Sequence, residues 1–140
     1  MSDVTSKLKL EKYSDLVIVG IPKDVTEFDD LDFSNSWKKS DFLFTFVFSL
    51  EEMKEVLEMV DIKNFMTDKG YLYLAYPKLS TKKYENKIHR DDIFPFLKVD
   101  EETGQIANLD LKFSNMMAFN DDFTMIGIKR NSTNLRKRTS

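Results

Sequence analysis

The chain has 140 residues and a mass of 16.5 kDa, with 24 acidic against 21 basic side chains and a net charge of −3. It has no cysteine and one histidine, His89, which excludes disulfides, thiolate chemistry and multi-histidine metal centres. The length suits a single domain, and a slightly acidic balance makes nucleic acid a poor expected partner for the chain as a whole.

The N-terminal residues Met1-Ser2-Asp3-Val4-Thr5 open no apolar leader, and no apolar run approaches the ~20 residues of a membrane span. We therefore expect a cytoplasmic protein with no membrane partner. Residues 16–21 form the first of four short apolar runs rich in β-branched or aromatic residues. Residues 42–48, 71–76 and 123–128 are the others. Such runs suit strands covered on both faces, as in a parallel sheet between helical layers. After the first run, Asp24 and Glu27 have capping-box spacing, with Val25, Phe28 and Leu31 on one face of a short helix. Residues 32–40 hold a brief strand or a loop.

The clearest helix follows the second run. Ser49 can cap it and Glu52 sits three residues on, with Leu50, Met53, Val56, Leu57 and Val60 on one face. Asp68-Lys69-Gly70 then turns the chain into the third strand, completing a βαβ unit. Residues 77–90 read as a polar, basic surface crossing. Asp91-Asp92-Ile93-Phe94-Pro95 can open a helix, because proline is tolerated in a first turn. Gly104 marks a turn. Residues 111–119 and 123–128 are joined tightly through Asn120-Asp121-Asp122 and should be antiparallel neighbours at one edge of the sheet. Residues 131–140 carry Arg136, Lys137 and Arg138 with no acid, a basic tail expected to be flexible beyond a domain of residues 1–130.

Several of these pieces together resemble a small bacterial family of unknown function that looks like a truncated class I S-adenosylmethionine-dependent methyltransferase. The matching stretches are Ser40-Asp41-Phe42-Leu43-Phe44-Thr45-Phe46-Val47-Phe48-Ser49 and Gly70-Tyr71-Leu72-Tyr73-Leu74-Ala75-Tyr76-Pro77-Lys78. They also include Arg90-Asp91-Asp92 and Asn120-Asp121-Asp122-Phe123-Thr124, with Gly20-Ile21-Pro22 at the end of the first strand. The resemblance implies a three-layer, Rossmann-like α/β fold, a mainly parallel sheet with the first three strands central, and an antiparallel C-terminal edge strand. It brings no established activity.

In such sheets ligands bind beyond the carboxyl ends of the strands. Gly20, Pro22, Ser49, Tyr76 and Lys78 are the ligand-binding candidates there. Tyr76 can offer an aromatic face and Lys78 a cation, or Tyr76 can simply end a core strand that Pro77 stops. His89, Arg90 and Asp91 form a polar cluster that can serve acid–base chemistry, or a helix start. Asp121 and Asp122 suit a turn better than a shared metal site, since neighbouring side chains on extended backbone diverge. Tyr84, among the lysines of residues 78–90, can stack on a base; residues 11–61 oppose this with thirteen acids against five bases. Only four glycines are present and none forms a phosphate-cradling fingerprint. We expect no catalytic residue, no metal and no cofactor. The domain should bind a partner protein or a small ligand, and it can form a homodimer. The alternative is a methyltransferase using S-adenosylmethionine through an atypical loop at residues 20–24.

Overall fold

The computed structural model describes residues 3–130, so the expected tail at 131–140 lies outside the described residues. The elements in order are α1 (Asp3–Leu8), a 3-10 turn (Leu10–Lys12), β1 (Val17–Val19), β2 (Ser40–Phe46), α2 (Leu50–Lys63) and β3 (Met66–Pro77). A 3-10 turn (Arg90–Asp92) leads into α3 (Ile93–Leu97), and β4 (Leu111–Ala118) and β5 (Phe123–Arg130) complete a sheet of order β1-β2-β3-β5-β4.

The fold is α/β with a mixed five-stranded sheet. β1, β2 and β3 pair in parallel, whereas β5 is antiparallel to both β3 and β4. The expected hairpin at one edge is present, but the edge strand is β4 and the antiparallel β5 lies one position in. β1 is not central as expected. It flanks β2 at the other edge, and on its outer side Ser34 donates its N–H to Leu16 O (2.8 Å) and accepts at its carbonyl from Ile18 N–H (2.9 Å). β1 is also shorter than the expected 16–21, because Gly20 turns into the left-handed region at φ 74°.

Two local expectations are corrected. Residues 21–33 form no helix. They make successive tight turns, Val25 N–H to Pro22 O (3.1 Å), Asp29 N–H to Thr26 O (3.1 Å) and Leu31 N–H to Phe28 O (3.1 Å). Asp29, Asp30 and Asp32 would stand at the negative end of a helix dipole, and Thr and Asp are weak helix formers. Nor does Asp68-Lys69-Gly70 turn the chain into β3. α2 ends at Asn64, left-handed at φ 56°, and β3 is already running at Met66. The register steps from Ser40 opposite Met66 to Phe42 opposite Tyr71, so residues 67–70 bulge opposite Asp41. The Thr67 hydroxyl donates to Asp41 Oδ1 within this bulge.

α2 forms where its signals place it. Ser49 Oγ accepts from Glu52 N–H (3.0 Å), and Glu52 Oε1 reaches back to Phe48 N–H (2.6 Å). Its buried face, Met53, Leu57 and Val60, packs with Ile93 and Leu97 of α3 on Leu43, Leu72, Leu74 and Ile126. Each such side chain contributes about 1.5–3 kcal/mol on burial. The opposite face of the sheet holds Phe42, Phe44, Phe46, Tyr73 and Met125 under Leu8, Leu10, Val25 and Phe28. There the covering layer is α1 and the turns of residues 21–33. Met116 and Met117 divide between the two faces, as packing and not as a partner groove.

Candidate functional site

Four strands, β1 to β4, run the same way, so their carboxyl ends share one edge of the sheet. Ser49 and His89 meet at that edge. They line an open cleft of ≈ 350 Å³ between the start of α2 and residues 85–92, together with Glu51, Glu85, Lys87 and Asp92. Three carboxylates against one ammonium give the cleft an acidic rim.

Both predicted polar groups are engaged locally. Ser49 caps α2. His89 is itself the cap of the following turn, and its Nδ1 accepts from Asp91 N–H (3.1 Å). That hydrogen bond occupies one imidazole nitrogen, and Asp91 Oδ2 stands 3.8 Å from the same atom. Arg90 and Asp91 point to solvent and do not line the cleft.

The other candidates lie apart from it. Tyr76 is buried in the α2 side of the core, with its hydroxyl toward Met116 Sδ (3.9 Å), and presents no ring to a ligand. Alternation along β3 turns that side chain inward. Lys78 donates its backbone N–H to Asp122 O (3.0 Å). Gly20 is exposed, and a Cβ there would stand 3.7 Å from Thr45 Oγ1, an ordinary contact. Its left-handed φ, rather than close approach by a ligand, therefore accounts for the glycine. Pro22 serves the turn that Val25 closes.

Asp122 pins the crossing segment. It accepts from Thr81 Oγ1 (2.6 Å) and faces Lys83 Nζ at 3.6 Å. Asn120 Oδ1 accepts from the N–H groups of Asp122 (2.8 Å) and Phe123 (2.9 Å), which makes the expected turn. Among the described residues no group of three His, Asp or Glu side chains is placed to hold a metal.

Tyr84 is the residue that sequence reasoning misplaced. Its ring lies edge-on to Phe123 at 5.0 Å and near Phe48 at 5.9 Å, so it does not stack outward. Its hydroxyl is out of water, beside the Asp24 carboxylate. Burial first, and then the charges of Asp24 and Asp122, push its pKa up. Burial does the same for Tyr13, Tyr73 and Tyr76. In the folded state these four phenols hold their protons above pH 10, whereas unfolded tyrosines ionise near 10. Their contribution to stability is intact below pH ~10 and is lost as pH rises beyond it. An absorbance titration at ~295 nm should show most tyrosine ionisation delayed until alkaline unfolding. Overlaid native and urea-unfolded curves would contradict this.

No protein-family model matches the chain and no curated protein sequence matches it. Among solved structures the chain is similar to the crystal structure of a Sulfolobus solfataricus protein provisionally assigned as a type 11 methyltransferase. Identity is 13%, with 91% of this chain and 78% of that chain covered and a TM-score of 0.47. A likeness of this order says nothing about what the chain does. No described helix is long and apolar enough to cross a membrane.

Proposed function

We propose that the chain is a methyltransferase-like, three-layer α/β domain that works by binding and not by catalysis. Its carboxyl-edge cleft takes a neutral or cationic group, either a small amine-bearing ligand or a basic side chain of a partner protein. The observation that carries this reading is the state of the cleft's polar groups. Ser49, Glu52 and the His89 Nδ1 are spent on capping, while Glu51, Glu85 and Asp92 form an acidic rim beside Lys87. A carboxylate rim repels phosphates and attracts ammonium groups. Glu51 and Glu52 also stand at the positive end of the α2 dipole and already satisfy it.

A methyltransferase using S-adenosylmethionine through the loop at residues 20–24 is the second reading. It is favoured by the cluster of Asp24, Glu27 and Asp122 near Tyr84, since a sulfonium is a cation. A thermal-shift panel separates the two. It would contain S-adenosylmethionine, S-adenosylhomocysteine, nucleotides, sugar phosphates and primary amines. A ligand at 100 times its Kd stabilises the folded state by ~2.7 kcal/mol, several degrees in Tm for this size. We expect a shift with a primary amine, removed in the variant Glu51→Gln/Glu85→Gln. A shift with the methyl donor that survives in that variant overturns the first reading in favour of the second.

A further inference from the structure

The edge of the sheet opposite the cleft carries a different surface. Strand register sets Phe42 beside Tyr71, Tyr71 beside Lys129, and Lys129 beside Lys112, a continuous row across β2, β3, β5 and β4. Leu111 and Phe113 face the α2 side, so Lys112 between them faces the other side with Lys129 and Tyr71. Lys12 closes the row from the 3-10 turn, its Nζ 5.2 Å from the Tyr13 ring and 6.0 Å from the Tyr71 ring; Lys129 Nζ is 5.6 Å from the Tyr71 ring.

None of Lys12, Lys112 and Lys129 has a carboxylate within ion-pair distance among the described residues. Asp41, whose charge reaches Tyr13, takes the Thr67 hydroxyl. Like charges directly opposite on neighbouring strands are destabilising, so the Lys112–Lys129 pair costs the fold something. An ammonium over a ring still has N–H donors turned away from it for an anion.

We propose that this row binds single-stranded nucleic acid, with backbone phosphates on Lys12, Lys112 and Lys129 and a base against the face of Tyr71 turned away from Tyr73, whose ring stacks on the other at 5.5 Å. Phosphate neutralisation resolves the lysine repulsion, and a half-buried tyrosine flanked by ammoniums joins the two features that sequence-tolerant strand binding uses. The site is separate from the cleft and does not depend on what the cleft binds.

Fluorescence anisotropy with labelled dT15 and rU15 oligonucleotides at low salt tests it. We expect Kd in the range of about 1–100 µM. The variant Lys112→Ala/Lys129→Ala should bind at least about tenfold more weakly, and the slope of log K against log salt should flatten by about 1.4, at ~0.7 per phosphate. Tyr71→Leu should weaken binding about five- to tenfold through lost stacking. The double variant should melt close to the parent, since the relieved Lys112–Lys129 repulsion offsets the lost contact of Lys129 with the Tyr71 ring, so lost binding is not lost folding. Binding unchanged in the double variant, no binding in ~50 mM salt, or equal displacement by polyglutamate would each overturn the assignment.

Discussion

Replacing Phe44 with alanine should cost about 3–5 kcal/mol of folding stability. Phe44 is 0% exposed in the middle of β2. Its ring meets five others: Phe28 edge-on at 5.1 Å, Phe46 at 5.2 Å, Phe119 at 5.4 Å, Tyr73 at 6.1 Å and Phe42 at 6.3 Å. Truncation removes the transfer energy of the ring and opens a cavity that strands on both sides prevent from collapsing. The lost ring pairs are part of that cost, since aromatic pairing is worth more than buried area alone accounts for. Urea unfolding monitored by far-UV circular dichroism reads the loss as a lower midpoint at unchanged m-value. Phe44→Leu should retain well over half of the stability. A loss below about 1 kcal/mol for the alanine variant would mean that this face of the sheet is not packed as described.

Gly104→Ala should be nearly as damaging, at about 2–4 kcal/mol, although it adds a single methyl group at a partly exposed turn. Gly104 has φ 81°, where side chains are strained. A Cβ there would stand 2.5 Å from Phe113 O, a backbone atom that cannot swing away. The turn is bonded on both sides. Gly104 N–H donates to Asp100 O (2.7 Å), and Gly104 O accepts from Phe113 N–H (2.7 Å). Asp100 Oδ1 holds the N–H of Glu102 (2.8 Å) as well. Thermal melting of the alanine variant beside a Glu101→Ala control, an exposed side chain of the same turn, should show a lower Tm for the glycine change alone. Equal melting of the two would show that the turn yields freely.

The parts legible in the sequence were those whose signals are local. β2, β3 and β5 announce themselves as unbroken apolar runs because both faces are covered, and α2 carries a cap, an amphipathic face and good propensity in one stretch. Residues 21–33 misled for a physical reason. Val25, Phe28 and Leu31 recur at a spacing of three, which fits a helix face and a series of i to i+3 turns equally well, and only the acids at the far end oppose the helix. Ser49 and His89 stand out in the sequence as single polar groups, but the cleft they share depends on where residues 85–92 run, and no short-range signal encodes that. Tyr84 sits among lysines in sequence and so reads as exposed; its burial against Phe123 comes from the β4–β5 turn reaching over. The lysine row is invisible in one dimension. It exists only once Tyr71, Lys129 and Lys112 are brought into register from three strands.

The placement of β5 between β3 and β4 also sets an order of events for the folding chain. β4 is synthesised before β5 yet has no direct partner in the rest of the sheet, so it cannot join until β5 follows and turns back along it. The hairpin of β4 and β5 closes locally through the Asn120 turn, whereas docking on β3 must wait for a long-range register, Tyr71 opposite Lys129. Until that docking, β3 presents an unpaired row of backbone donors and acceptors to its surroundings, the state in which strand edges recruit the wrong partner. Nascent chains stalled anywhere before residue 123 thus carry an open edge on the strand that becomes the middle of the sheet, and release of the hairpin from the ribosome is the step that closes it.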